Sequence, residues 1–524
     1  MPASSIAEMF VSALHDYPDR VFLRWHVDGE RIVWTYAEAA VRIDALARRL
    51  EALGAGFGDN VVVHTHAMVP SILFDLACAC SGIVFTPIET TSLPAVIDVV
   101  KRTDARAVMT TPDRTGPYDG RPIVHEDGRG PATGDTAAAI ARLTRAAERV
   151  RGDSVYMLQP TSGTTGGSKL VIRNHTTFVR IAPMLGRGLA RDSQPPGRIL
   201  MVPALTHGMG QYLLAIAMSV AGELCVTSKI DVAADIAEIR ALDPTFIALT
   251  PRVVRSLFQQ AKSDSARLFG PSAKTMLTGG AAPDPDLILA IQRMGVDVLE
   301  GFGASEFSVV AVTRPGQWQP DMLGHVVGDV ELRVTDEGEL LAKTPGMMLG
   351  YHGNADATRA AFTEDGFYRT GDRVELGAGG EFRYIGRLVD SFNLFDGSHV
   401  APGPIEDALT RLPWIDQVIL FGDQRPFIVG LVVLQPALRA AWPSAELRER
   451  VERDVGEICR GLEYNAHVRR LAILTAPLPE ALYQVVGHGK VRRLRAEVIA
   501  QYASLVERLY GGAQDASFVD VPAP

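Results

Sequence analysis

Apolar positions recur along this chain with two periods. After Thr35 they follow a helical spacing, with Ile43, Leu46, Ala47, Leu50 and Leu53 on one face. Thr35 and Glu38 form a T-x-x-E capping box at the start of that segment, and Gly54 closes it. Short apolar runs follow at 61–63, 83–85 and 107–109, bounded by turn residues and separated by helical stretches. The rhythm returns after Arg198, with runs at 199–202, 224–227 and 246–249. Continuous rather than alternating apolar runs, interleaved with helices, predict an α/β architecture of parallel sheet with helices on both faces. The longest apolar stretch, 212–222, has the length of a core helix and falls short of the roughly 20 residues that span a bilayer.

Residues 111–135 are rich in Pro, Gly and Asp and read as a surface excursion. From 330 to 384 the strands become shorter and alternate, and 331–342 reads as a hairpin around Asp336-Glu-Gly338. After Asp390 the chain starts afresh, with a Gly/Pro loop, a helix from about Pro404, strands near 418–421 and 428–434, and helices to the end. The expected division is a domain over 1–389, a second over 390–510, and a small, polar, flexible tail over 511–524.

Size and charge narrow the class. A chain of 524 residues exceeds what one core serves, and 47% hydrophobic with 22% charged residues is ordinary globular composition. The net charge of −9 argues against nonspecific nucleic-acid binding. Cys78, Cys80, Cys225 and Cys459 form neither a disulfide framework nor a CxxC pair. With no basic, apolar leader after Met1, a cytoplasmic protein is expected.

The sharpest chemical signal is Thr161-Ser-Gly-Thr-Thr-Gly-Gly-Ser-Lys169, directly after the strand-like 155–158. Gly163 and Gly166 let the backbone curl its N–H groups toward an anion, Thr161, Ser162, Thr164 and Thr165 add hydroxyl donors, and Lys169 adds a charge. It is not a Walker A loop, because Ser168 stands where the second Gly must be.

Five further segments follow in order: Pro203-Ala-Leu-Thr-His207-Gly208, Thr278-Gly279-Gly280-Ala281-Ala-Pro283, Glu300-Gly301-Phe302-Gly303-Ala-Ser305-Glu306, Tyr368-Arg-Thr-Gly-Asp372, and Gly386-Arg387-Leu-Val-Asp390. Gly487-His-Gly-Lys490 closes the series. From about residue 15 to 510 the chain resembles the acyl-adenylate-forming (ANL) superfamily of acyl- and aryl-CoA synthetases, adenylation domains and beetle luciferases. The resemblance implies a large domain of αβα-layered parallel sheets with a small β-barrel-like subdomain, and a small mobile α+β domain. It implies ATP-dependent activation of a carboxylic acid as acyl-AMP, then transfer to coenzyme A. Lys490 is implied as the cation between carboxylate and α-phosphate, Glu306 as the Mg2+ ligand, and Ser305 and Thr161 as phosphate donors. The segments Gly279–Ala281 and Glu300–Gly303 flank the adenine, with Phe302 suited to stacking. Asp372 and Arg387 meet the ribose, and Asp390 is the hinge. His207, Gly208, Gly280, Gly303 and Gly397 line the paths of acid and pantetheine. Alone, each has a plainer reading: Glu306 as a solvated loop acid, Phe302 and His207 as core, Asp372 and Arg387 as members of structural ion pairs, and Lys490 with Arg492, Arg493 and Arg495 as a basic helix start. His175 reads as structural.

The chain departs from the family at Ser168, where relatives carry Pro, at Leu170 after the lysine, and at Val389 in the hinge. The stretch Asp396-Gly-Ser-His-Val-Ala-Pro-Gly-Pro-Ile-Glu406 resembles long-chain acyl-CoA synthetases, so a fatty or other hydrophobic acid is expected. No F-D-x-S stretch points to an amino acid, and no L-G-x-D-S segment marks a fused carrier domain. An acyl carrier protein as acceptor, a luciferase-type oxygenase and a non-catalytic nucleotide-binding protein are the alternatives.

Overall fold

The computed structural model describes residues 3–521 apart from 28–29, 91, 115, 129–132, 162–168, 187–196, 228–231, 262–267, 281–282, 321, 378–380, 389–390, 397, 463–465, 480–481, 487–489, 494 and 513–514. The chain forms two compact units, Met1–Leu332 with Leu341–Arg369, and Arg333–Leu340 with Thr370–Pro524.

The first unit is built on two sheets. One runs in the order Gly350–Tyr351, Lys169–Asn174, Val155–Thr161, Val84–Ile88, Asn60–His64, Ala107–Thr110, Ile123–His125. Its strands are parallel from Val155–Thr161 outward to Ile123–His125, and antiparallel at the other edge. In the other sheet, Val21–Val27, Glu223–Val226, Arg198–Met201, Phe246–Ala248, Thr275–Gly279 and Asp297–Ala304 are parallel neighbours. Antiparallel strands Glu30–Thr35 and Ser308–Val312 flank them.

The continuous apolar runs have a physical cause, since each strand is buried on both faces. Val61 and Val63 join Phe85, Leu23, Ile199 and the helical residues Phe10, Leu46, Phe74 and Leu214 in one core that both sheets share. Val62, Val84 and Val108 point the other way, into a cluster with Val96 and Val100 of the Leu93–Arg102 helix. Met68–Ser81 and Gly208–Ser219 lie almost wholly within the shared core, which is why they are apolar all round.

The capping box at Thr35 forms in both directions and opens the helix Tyr36–Ala52. Leu53 departs from expectation: it is the C-cap and 40% exposed, because the helix ends at Ala52 and Gly54 turns away at φ +80. The excursion over 111–135 is more structured than its composition implies. Ile123–His125 adds an edge strand, and the buried Tyr118 hydroxyl meets Nδ1 of His64 at 2.9 Å.

In the second unit, the 331–342 turn is closed by Thr335 N donating to Glu339 O, with Gly338 at φ +83. Tyr368–Leu376 pairs antiparallel with Phe382–Arg387. Beyond them, the sheet Ile415–Phe421, Ile428–Leu434, Val468–Leu474, Phe518–Asp520 carries the helices Pro402–Thr410, Ala445–Arg460 and Arg495–Tyr510. Two expectations are corrected here. The region expected to hold only helices contains the strand Val468–Leu474, whose Leu, Ala and Arg are good helix formers overridden by pairing with Ile428–Leu434. The tail expected to be flexible ends in a strand, because Phe518 and Val519 bury against Val468–Leu474 and its neighbours.

Candidate active site

The phosphate-loop candidate grows from a β-hairpin. Val155–Thr161 runs antiparallel to Lys169–Asn174, Thr161 stands opposite Lys169, and Thr161 Oγ1 donates to the Lys169 carbonyl at 3.3 Å. Ser162, Gly163, Thr164, Thr165 and Gly166 lie outside the described residues. Strand alternation puts Lys169, Val171 and Arg173 on one face, with Thr161, Gln159 and Met157 opposite them.

That face meets the Glu306 turn. Gly303 pairs with Val309, and any Cβ on it would lie 2.1 Å from the Ser308 carbonyl, so only glycine lets the two strands close around Ala304–Phe307. The turn is pinned by Met348 N donating to the Glu306 carbonyl at 2.7 Å. Tyr351, opposite Val171, links the two sides: its hydroxyl donates to Glu306 Oε1 at 3.3 Å, and Lys169 Nζ lies 4.7 Å from its ring centre. Burial, then the Glu306 charge, push the Tyr351 phenol up to about 12, so it stays a donor at neutral pH. Ser305 is half-buried in the same turn.

The adenine-side candidates lie on adjacent parallel strands. Gly279 stands opposite Gly301, where a Cβ would come 2.4 Å from the Gly301 carbonyl, and Gly280 turns away at φ +79. Ala281 lies outside the described residues. Phe302 packs against the Phe307–Tyr351–Tyr368 cluster, with ring centres 6.1 Å apart to Phe307. The buried Glu300 carboxylate accepts from the Trp318 indole at 2.7 Å, a bond that holds the strand.

His207 is the half-buried N-cap of the Gly208–Ser219 helix. The loop before it is held by two buried glutamines, Gln159 donating to Thr206 O and Gln211 to Leu205 O, each at 3.1 Å. His175 packs on Tyr156 with ring centres 4.8 Å apart, and burial pushes its imidazole down to about 3, which makes it a neutral core group.

The second unit brings Asp372 and Arg387 together. They stand opposite each other on paired strands, 3.0 Å apart in an ion pair, and Arg387 Nη1 also donates to Thr370 O at 2.8 Å. Asp390 and Gly397 lie outside the described residues. Lys490 begins the strand Lys490–Arg493, opposite Val486 of Tyr483–Val486; its side chain lies outside the description. The helix after it is anchored by Arg495, which donates to Glu406 Oε1 and Leu420 O, each at 2.7 Å.

Tyr351, Gln159 and Arg173 escaped the sequence reading. Tyr351 stands in no motif that was singled out. Arg173 had a signal: a charged residue closing the apolar run Leu-Val-Ile, at even spacing from Lys169.

Comparison with known proteins bears on the same regions. The chain is 26% identical to a long-chain-fatty-acid–CoA ligase of Mycobacterium bovis, over 97% of each chain. Among solved structures it is similar in fold to an anthranilate CoA ligase in complex with anthranoyl-AMP, with a TM-score of 0.78 and 19% identity over 96% of this chain and 99% of that one. It is also similar to the A-PCP didomain of carboxylic acid reductase from Segniliparus rugosus in complex with AMP, with a TM-score of 0.76 and 20% identity over 98% and 83% of the two chains. The AMP-binding enzyme profile matches residues 10–352, spanning the hairpin, the His207 loop and the Glu306 turn, and its C-terminal-domain profile matches 390–514, so the chain belongs to the AMP-binding enzyme family.

Proposed function

We propose that this protein joins a carboxylic acid to a thiol in two steps at the expense of ATP. A carboxylate oxygen attacks the α-phosphorus, the bond from that phosphorus to pyrophosphate breaks, and acyl-AMP forms. The thiol of coenzyme A then attacks the acyl carbon, the carbon–oxygen bond to AMP breaks, and the thiol proton leaves to solvent. The observation that carries this reading is the joining of Lys169 to Glu306 through Tyr351, on the face where Thr161 also stands.

The chemistry asks for such a set. A carboxylate and a polyphosphate repel, so cations must balance the charge that gathers on the phosphoryl oxygens. Lys169 and Thr161 supply a cation and a donor, and Ser305 a second hydroxyl. Glu306, a carboxylate oriented by one phenol, suits Mg2+, which takes one or two carboxylates beside phosphate oxygens and keeps its waters. The ion would offset the charge on the leaving pyrophosphate. Asp372 has a carboxylate able to accept from ribose hydroxyls, and Arg387 holds it in place. Lys490 supplies the cation between the reacting carboxylate and the α-phosphate, with Asp390 as the hinge that brings it in and takes it out. A hydrophobic acid fits the likeness to the fatty-acid ligase. A reducing cytoplasm fits four free, buried cysteines; among the described residues no helix is long and apolar enough to cross a membrane.

Carboxylate-dependent exchange of labelled pyrophosphate into ATP, over acids graded in length and including aryl acids, tests the first step. AMP release with and without coenzyme A tests the second. Exchange with at least one acid and coenzyme-A-stimulated AMP release are expected; no exchange with any acid would leave a nucleotide-binding protein. An acyl carrier protein as acceptor is the second reading, favoured by the likeness to a didomain that includes a carrier. Exchange without stimulation by coenzyme A would select it.

A further inference from the structure

Arg173 is 1% exposed, yet its charge has no carboxylate partner in hydrogen-bonding contact among the described residues. Nη1 donates to Gln159 Oε1 at 3.0 Å, while Nε and Nη2 meet no acceptor within hydrogen-bonding distance among the described residues. Phe178 covers the guanidinium at 4.6 Å, and the Tyr212 phenol and the Glu306 charge favour the cation only in part, so burial still lowers its proton affinity. A buried guanidinium left this way costs several kcal/mol unless an anion joins it.

A second feature meets it. The helix Gly208–Ser219 starts without a side-chain cap, which leaves the positive end of its dipole at Gly208. Gly208 is half-buried, and the Cβ it lacks would lie 3.9 Å from Arg173 Nη1 and meet nothing closer. An uncapped helix start and an incompletely paired guanidinium therefore converge at one glycine, an arrangement that fits a planar oxyanion better than a hydrocarbon chain.

We propose that Arg173 and the amino end of the Gly208–Ser219 helix form an oxyanion subsite that binds a carboxylate of the acid substrate. The proposal rests on the acid-activating reading above and deepens it. The carboxylate has two possible sources, the group that becomes activated or a second acidic group on the same molecule. Arg173 acts on it directly, and Gln159 orients Arg173 while tying it to the loop before His207.

The test is pyrophosphate exchange by the full chain with straight-chain monocarboxylic acids and their α,ω-dicarboxylic counterparts, comparing wild type, Arg173→Gln and Gly208→Ala. Gly208→Ala leaves Arg173 and the fold intact while filling the seat. Both variants are expected to raise KM for the acid by roughly tenfold to a hundredfold, with KM for ATP unchanged. A rise for mono- and dicarboxylic acids alike assigns the seat to the reacting carboxylate, and a rise for dicarboxylic acids alone assigns it to the second group. Acid KM within about twofold of wild type in both variants overturns the subsite while the acid-activating reading stands. A rise confined to Arg173→Gln also overturns it, since Arg173 would then be a strut for Gln159. Absence of wild-type exchange with every acid removes the acid-activating reading and the subsite together.

Discussion

At the scale of single residues, burial decides how Asp75 titrates. The Tyr156 hydroxyl lies 2.6 Å from Asp75 Oδ1 and 2.7 Å from Gln211 Oε1, and Gln211 shows its oxygen because its amide nitrogen donates to Leu205 O. The phenol donates to the carboxylate, which is 0% exposed, so burial and donated hydrogen bonds act on Asp75 in opposite directions. Complete burial wins, pushing its pKa up to about 7 against two hydrogen bonds that pull it down. The sign of the pH effect follows. Between the ordinary carboxylate range near pH 4 and about pH 7 the folded chain holds a proton that the unfolded chain has lost, so stability falls across that window and levels off above it. Asp75→Asn keeps an acceptor for the Tyr156 hydroxyl without the titration. Its thermal midpoint should match wild type near pH 5 and exceed it near pH 8, by an amount on the order of a few kcal/mol in stability. A variant equally destabilised at both pH values would contradict the raised pKa of Asp75. Tyr351 allows a second separation. Tyr351→Phe keeps the aromatic face under Lys169 and deletes the hydroxyl's bonds to Glu306 and to the Tyr368 hydroxyl. The Mg2+ concentration for half-maximal exchange should rise, by roughly threefold to tenfold, with KM for ATP at saturating Mg2+ little changed.

At the scale of elements, the chain's end carries a strand whose removal should be felt. Phe518–Asp520 covers the edge of Val468–Leu474 and buries Phe518 and Val519, while Arg448 donates to the Ala516 carbonyl at 2.7 Å. Ending the chain after Gly512 should cost about 2–5 kcal/mol, from two apolar side chains and a newly open edge. It should show as a lowered unfolding midpoint followed by fluorescence of Trp414 or Trp442. An unchanged midpoint would mean that the strand adds nothing to that core. The same strand shows where sequence reading stops. Helices and strands whose signal is local were legible: the capping box at Thr35, and the runs at 61–63 and 107–109 that must be apolar on both faces. Phe518–Asp520 and Ile123–His125 were not, because three residues carry no period and their turn-rich flanks dominate the composition. Val468–Leu474 was misread because its helix-favouring residues are overruled by a partner strand far away in sequence. The site divides the same way. Thr161, Lys169, Glu306, Asp372 and Arg387 stand in ordered motifs. Tyr351 and Gln159 gain their meaning only from the pairing of Gly350–Tyr351, Lys169–Asn174 and Val155–Thr161.

At the scale of the whole molecule, the proposed chemistry distributes its groups over two units. Thr161, Lys169, Glu306 and His207 belong to the first, while Asp372, Arg387 and Lys490 belong to the second. Two half-reactions at one acyl carbon make opposite demands: the first needs a cation beside the carboxylate, and the second needs that space for a thiol. In the proposed reaction a lysine on a segment that turns about Asp390 meets both demands, whereas a lysine fixed beside the carboxylate would block the second step. The strand Lys490–Arg493 is suited to carry it, because it hangs in a two-stranded hairpin whose following helix is fixed by the Arg495–Glu406 pair. The prediction is a split between half-reactions. Lys490→Ala should lower acid-dependent pyrophosphate exchange by a hundredfold or more, on the scale of losing one aimed charge in a transition state. Supplied with preformed acyl-AMP, the same variant should transfer the acyl group to coenzyme A at close to the wild-type rate. Arg495→Gln, which frees the helix from Glu406 without touching Lys490, should lower exchange by a smaller factor and leave KM for ATP unchanged. If Lys490→Ala slowed both half-reactions equally, the lysine would serve the fold of the second unit, and the division of labour between the units would have to be drawn elsewhere.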